Sequence, residues 1–194
     1  VTTQTKKPDA QRRGVAKVGE DPAPYLYAWP GAIKPLTSLA NNADGVGIIA
    51  AAPEPDGVVR RMPMIILSQE QLHPALALET LRVAAKDPKF QVKIGDMGVE
   101  AVRVPKFGKI PTDELGRVWV DWSASPREFS YMSLPESFDG GIVVVGLSAA
   151  GLANPVATAK GEVWPHYLQG ALMGTMVTQS NIQRPAWADQ AEII

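Results

Sequence analysis

Four consecutive β-branched residues, Ile142-Val143-Val144-Val145, stand between Gly140-Gly141 and Gly146, and no other stretch constrains the fold of this chain as much. A strand with one wet face alternates apolar and polar residues, whereas an unbroken apolar run is what a central strand covered on both faces requires. The run therefore predicts an α/β fold class, a mixed β-sheet flanked by helices in a single layered domain. Helical spacing elsewhere supplies the cover. Between 74 and 86, Leu78, Leu81 and Ala85 fall on one face and Glu79, Arg82 and Lys86 on another. Pro74 suits the first turn of that helix and Asp87-Pro88 its end. From Pro165 onward, Leu168, Leu172 and Met176 form a second apolar stripe, and Arg184-Pro185 is expected to stop this last helix.

The remaining segments are shorter. Residues 35–42 read as a small amphipathic helix, and the apolar residues 46–50 as a strand. Pro53-Glu54-Pro55-Asp56-Gly57 reads as a turn: proline presets φ, Asp56 accepts a local backbone hydrogen bond and Gly57 tolerates positive φ. Residues 58–67 are then expected to be the return strand of a hairpin. Short strands are predicted at 91–94, 101–104 and 117–121, separated by Gly95, Gly98, Gly108 and Gly116. Residues 1–24, polar and initially basic, read as a flexible lead-in segment, which leaves 25–194 as the folded domain.

Composition narrows the chemistry. A chain of 194 residues can bury a sizeable core without a disulfide or metal. Cysteine is absent, which excludes thiol catalysis, thiolate metal sites and a disulfide framework together. With 19 basic against 20 acidic residues the formal charge is -1, and the five tryptophans are scattered rather than interleaved with basic residues. Neither feature fits a nucleic-acid partner. No run of about 18 apolar residues occurs, and the first residues lack the apolar stretch of a signal peptide. His73 and His166 are the only histidines, so neither a metal nor another cofactor is expected.

Several residues are candidates for function. Ser148 follows Gly146 after the apolar run and resembles a nucleophile elbow, with His166 the base and Glu162 the acid that could serve it. Ala150, however, occupies the place of the motif's second glycine, so a tight strand-to-loop turn is the favoured reading. The spacing of Gly146 and Gly151 resembles a phosphate loop, but Leu152 and Ala153 stand where Lys and Ser/Thr are needed. Backbone N–H groups around Ser148, Gly151 and Asn154 could still hold a small anion. Arg60 and Arg61, read as neighbours on one strand, should point to opposite faces and be unable to clamp one carboxylate jointly. One should pair with Asp56 or a nearby acid and the other be solvated, with ligand binding as their alternative role. Gly170 and Gly174, continued by Thr178, form a small-residue row that suits close helix packing or a dimer contact.

In order along the chain, these motifs resemble the CHASE type-two family, the cyclases/histidine kinases associated sensory extracellular domains. Pro55-Asp56-Gly57-Val58-Val59-Arg60-Arg61-Met62-Pro63 is similar to the family's DG-x-x-RR-x-P hairpin, and His73-Pro74-Ala75-Leu76-Ala77-Leu78 to its next helix start. Val102-Arg103-Val104-Pro105, with Gly108, Ile110 and Gly116, resembles the short strands that follow. The 142–152 segment resembles the family's strand and small-residue loop, and Arg184-Pro185-Ala186-Trp187 its exit. Together these cover about residues 36–192 and resemble the C-terminal portion of the family. Two positions depart from its pattern: Asn154 replaces an aspartate, and Pro165-His166-Tyr167-Leu168-Gln169-Gly170-Ala171 replaces P-G-x-E-x-H-A.

The resemblance implies a periplasmic or extracytoplasmic input domain of a bacterial inner-membrane receptor, itself not an enzyme. It would respond to a small-molecule or environmental signal and act as a homodimer. Flanking transmembrane helices would connect it to a cytoplasmic class III adenylate/guanylate cyclase or a kinase. The alternatives are a small serine hydrolase using Ser148 and a structural, protein-binding domain.

Overall fold

The computed structural model describes residues 15–183, apart from 125, 139 and 150. In chain order the elements are β1 (Val15–Val18), β2 (Ala28–Trp29), α1 (Thr37–Asn42), β3 (Arg61–Pro63), β4 (Ile65–Ser68), β5 (Gln71–Pro74) and α2 (Leu76–Ala84). They continue as β6 (Phe90–Gly95), β7 (Gly98–Val104), β8 (Gly108–Pro111), β9 (Arg117–Trp119), β10 (Val156–Thr158), β11 (Gly161–Val163) and α3 (Pro165–Thr178). The fold is α/β with mixed pairing, as expected. The strands are distributed over several small sheets, ordered β1-β6-β7-β8, β2-β4-β5, β3-β9 and β10-β11. By contact density the chain forms two compact units, one of residues 15–50 and 63–118, the other of 51–62 and 119–182.

In the first unit, β1 pairs in parallel with β6, and β6, β7 and β8 form an antiparallel meander. Residues 15–18 were expected within the flexible lead-in; their Val-Ala-Lys-Val pattern instead completes a sheet edge. Residues 1–14 lie outside the described residues. Phe90, Val92, Val102 and Val104 are buried, and each contributes roughly 1.5–3 kcal/mol of apolar burial. Helix α2 buries Leu78 and Leu81 as its stripe predicts. It begins later than expected, however, because Pro74 ends β5, paired with Ile65. No side chain caps the helix. Instead the backbone N–H of Leu76 donates to the Ile48 carbonyl at 2.9 Å, satisfying one of the amides that a helix start leaves open. The 46–50 segment thus runs as a single bridge to Ala75, Ile48 with Ala75, rather than as a strand of a 46–67 hairpin.

The expected return strand over 58–67 is divided into β3 and β4, and β4 turns back into β5 through Gln69 and Glu70, with φ of 51° and 61°. A two-residue hairpin turn of this hand normally carries Asn-Gly, since ordinary residues pay about 1–2 kcal/mol each in the left-handed region. The turn was invisible in the sequence for that reason. Replacing Gln69 with Asn and Glu70 with Gly should raise stability by about 1–2 kcal/mol, read as a higher urea midpoint with unchanged slope.

In the second unit, α3 buries Leu168, Leu172 and Met176, as its stripe predicts, and also Tyr167, Gln169, Ala171, Met173 and Thr175. Residues from several faces of this helix are therefore covered, which is the behaviour of a helix apolar nearly all round. It stops at Thr178 rather than at Arg184-Pro185. Gln179 adopts the left-handed conformation, φ 54°, and the Ser180 N–H reaches back to the Thr175 carbonyl at 3.2 Å, closing the last turn. Residues 184–187, the expected exit motif, lie outside the described residues. The largest departure concerns 142–146: this segment forms no strand, and Ile142, Val143 and Val145 are exposed. Apolar continuity describes side chains that tolerate burial on both faces, but pairing depends on which backbone lies alongside, a relation between distant segments.

Candidate functional site

The Pro53–Gly57 turn forms as its residues dictate. Gly57 has φ +81°, its N–H donates to the Glu54 carbonyl at 2.8 Å, and the Val58 N–H donates to Asp56 Oδ1 at 3.0 Å. This fold-back brings both acids of the turn onto the two arginines that follow. Arg60 grips Asp56 through two parallel bonds, Nη1 to Oδ1 at 3.1 Å and Nη2 to Oδ2 at 2.7 Å, and also donates from Nη1 to Glu54 Oε2 at 3.1 Å. Arg61 donates from Nε to Glu54 Oε1 at 2.8 Å, and its guanidinium carbon lies 4.9 Å from the centre of the Trp119 ring.

The pairing of Arg60 with Asp56 agrees with the sequence reading; the separation of the two arginines does not. Strict alternation applies inside a strand, and Arg60 precedes β3, which Arg61 opens. Both guanidinium groups therefore reach one carboxylate, that of Glu54, and neither is merely solvated. Glu54 was overlooked as a site residue, although its position two residues before Asp56 in a proline-flanked turn was the available signal. Asp56 is held down to about 2 from its ordinary 3.8 by the hydrogen bonds from Arg60 and Val58, and the same partner raises Arg60 further above its ordinary value. A depressed acid contributes stability that is full above its unfolded value and is lost as pH falls through its folded one. Between pH 4 and pH 2 the wild type should thus lose more stability than Asp56→Asn, measured by urea unfolding at each pH.

The second candidate, the loop after the apolar run, is open. Ser148, Gly151 and Asn154 are all exposed, and Gly151 has φ +82°. The Leu152 N–H turns inward to the Ala149 carbonyl at 3.1 Å, so that amide serves the loop's own turn. Gly146 backs onto His166, where a Cβ would collide with the imidazole. His166 Nε2 stands 4.0 Å from Glu128 Oε1, an acid other than the Glu162 considered from sequence.

A cleft of about 550 Å³ is lined by Asp44, Arg82, Val83, Lys86, Asp87 and Pro88. At its base Arg82 is buried and donates from Nε to Glu79 Oε2 at 2.8 Å and from Nη2 to Glu79 Oε1 at 2.7 Å. Arg82 also bonds the carbonyls of Asp44 and Asp87, and Asp87 Oδ2 accepts from the Lys106 N–H at 2.7 Å. Glu79 holds the Arg82 guanidinium above its ordinary value, so it stays charged. Helical spacing separates Glu79 and Arg82 from the apolar stripe; in the structure Gly45 lies against the Glu79 side chain, and the Asp44 and Asp87 carbonyls meet Arg82. The hydrogen bonds of Arg82 are directed to its own chain, so this pair ties segments together.

Gly170, the first glycine of the α3 row, packs against residue 126. A Cβ on Gly170 would lie 2.9 Å from Pro126 Cγ and 3.3 Å from its Cβ, so the close approach is made within the chain. Gly174 is half-buried, and its carbonyl accepts from Thr178 Oγ1 at 2.9 Å. Gly170→Leu should therefore destabilise by about 1–3 kcal/mol through overpacking. The loss in Tm should be the same at dilute and concentrated protein, whereas a dimer contact would make it concentration-dependent.

Among the described residues no cluster of three or more His, Cys, Asp or Glu is placed to hold a metal, and no helix is long and apolar enough to cross a membrane. The family model of the CHASE2 domain matches residues 5–194. No curated protein and no solved structure matches the chain.

Proposed function

The chain belongs to the CHASE2 domain family, a family of extracellular sensory domains, and on that premise we propose that it is the extracytoplasmic input domain of a bacterial transmembrane receptor. The observation that carries this reading is the extent of the match, residues 5–194, which takes in the turn, both arginines, the small-residue loop and α3 alike. The output would be a cytoplasmic class III adenylate/guanylate cyclase or a kinase, reached through flanking transmembrane helices, and the working unit would be a homodimer. A signal can shift such a receptor only by binding two arrangements unequally. The Glu54-Arg60-Arg61 cluster supports the reading, because ion pairs at a solvent-accessible turn are contacts that a charged signal could exchange. Helix α3 is the element through which such a change would travel toward the membrane.

The test is topological. In the native receptor, a reporter active only outside the cytoplasm, inserted after Ile194, should be active, and one active only inside should be silent. The reverse pattern would overturn the assignment.

A further inference from the structure

Residues 141–148 run with neither turn nor bend, yet they belong to no sheet. Among the described residues, no backbone hydrogen bond is made by an N–H or a carbonyl from Ile142 to Ser148. Ile142, Val143 and Val145 are exposed, Val145 to 88%. The segment is an apolar strand without a neighbour, with β-branched side chains that favour a sheet and two open edges of donors and acceptors.

The flanking chain enlarges this apolar surface. The rings of Phe129 and Phe138 meet edge to face at 6.0 Å, and the Gly141 N–H donates to the Phe138 carbonyl at 2.8 Å, so the 129–138 loop closes at the entrance of the strand. Tyr131 and Met132 on that loop, with Val145, Leu147 and Leu152, are 63–91% exposed. At about 150 Å² for a large side chain, these five alone present on the order of 600 Å² of the roughly 800 Å² that each partner buries in a stable interface. A lipid surface would cover the side chains but leave the backbone groups unsatisfied, whereas a second strand serves both. From Gly140 to Asn154 there is no charged residue, so two copies can meet about a two-fold axis without bringing like charges together. A contact of that symmetry needs only this one patch.

We propose that residues 142–146 are a self-association site, at which a second copy of this chain adds its own 142–146 strand antiparallel to the first. As the contact of a receptor homodimer the site rests on the sensory reading above; as a pairing of two chains it does not.

Sedimentation of the full chain over the μM to mM range should show a monomer–dimer equilibrium. Neighbouring N–H groups point to opposite edges of a strand, so one of Val143→Pro and Val144→Pro should weaken the dimer roughly tenfold or more and the other far less. The chain contains no cysteine, so a single cysteine introduced at each of positions 142 to 146 in turn can be oxidised only to a bond between copies. Cross-linking should peak at one position and fall away on either side, as antiparallel pairing about a two-fold axis requires, and this scan decides if a proline variant fails to fold. A wild type that stays monomeric throughout the range would overturn the proposal and leave the strand to a different partner. Dimerisation as strong as the wild type in both proline variants, or a scan without cross-links, would overturn it too. A dimer lost in one proline variant, together with an inward-facing reporter after Ile194, would support the strand contact and overturn the sensory reading alone.

Discussion

Replacing Arg82 with methionine should destabilise the chain by about 3–5 kcal/mol, because the Glu79 carboxylate would remain buried without its cation. Glu79 is 5% exposed and Arg82 2% exposed, and the pair is joined by two bonds of 2.7–2.8 Å. The carbonyls of Asp44 and Asp87 would lose their donor in the same substitution. Domains of this size are stable by roughly 5–15 kcal/mol in total, so the urea midpoint should fall by about a fifth or more. The double substitution Glu79→Leu with Arg82→Met removes both charges and should recover most of the loss. A double variant no more stable than Arg82→Met would show that the loss comes from packing rather than from the stranded carboxylate. The exposed pair of Lys17 and Asp21 is a contrast: solvent screens it, and its removal should be nearly silent.

The second large effect is expected at Gly47. A Cβ there would lie 2.5 Å from Leu76 Cα, 2.7 Å from Leu76 N and 3.0 Å from the Ala75 carbonyl carbon. All three are backbone atoms at the start of α2, so no side chain can rotate aside. Gly47→Ala must lift the 44–48 segment from the helix and break two hydrogen bonds of 2.9 Å, Ile48 N–H to the Pro74 carbonyl and Leu76 N–H to the Ile48 carbonyl. About 2–4 kcal/mol should be lost, from overpacking together with unsatisfied helix-terminal groups. Gly31→Ala is the matched control, since nothing lies within 4 Å of its Cβ position, and it should change stability by less than about 0.5 kcal/mol. Equal urea midpoints for Gly47→Ala and Gly31→Ala would show that residues 44–48 do not rest on α2.

These two sites mark the limit of what spacing reveals. Leu78 and Leu81 were legible as a buried stripe because a helix face is defined within a few residues. The same arithmetic places Glu79 and Arg82 on another, adjoining face of the helix. Their burial involves a distant segment crossing at contact distance, with Gly45 against the Glu79 side chain and Gly47 against the backbone of Leu76. The turn at 53–57 was likewise legible, since its hydrogen bonds and positive φ are properties of five adjacent residues. The shared grip of Arg60 and Arg61 on Glu54 was not, because it depends on where β3 begins, and a shift of one residue reverses the side on which a side chain lies.

By itself the sequence determined the presence of the helices, the strands within 91–94, 101–104 and 117–119, the DG turn with its aspartate-arginine pair, and, through the order of its motifs, the family. All of these are set by local dihedral preference or by periodicity within one element. Tertiary structure alone decided that Ile142-Val143-Val144-Val145 would not be a strand, that 15–18 would be one, that a charged pair would lie beneath a crossing segment, and that Gly170 would meet Pro126. In each case the outcome depends on which distant backbone comes alongside. That is settled by the packing of the whole chain, where burial and pairing outweigh the roughly 1 kcal/mol preferences a single residue can express.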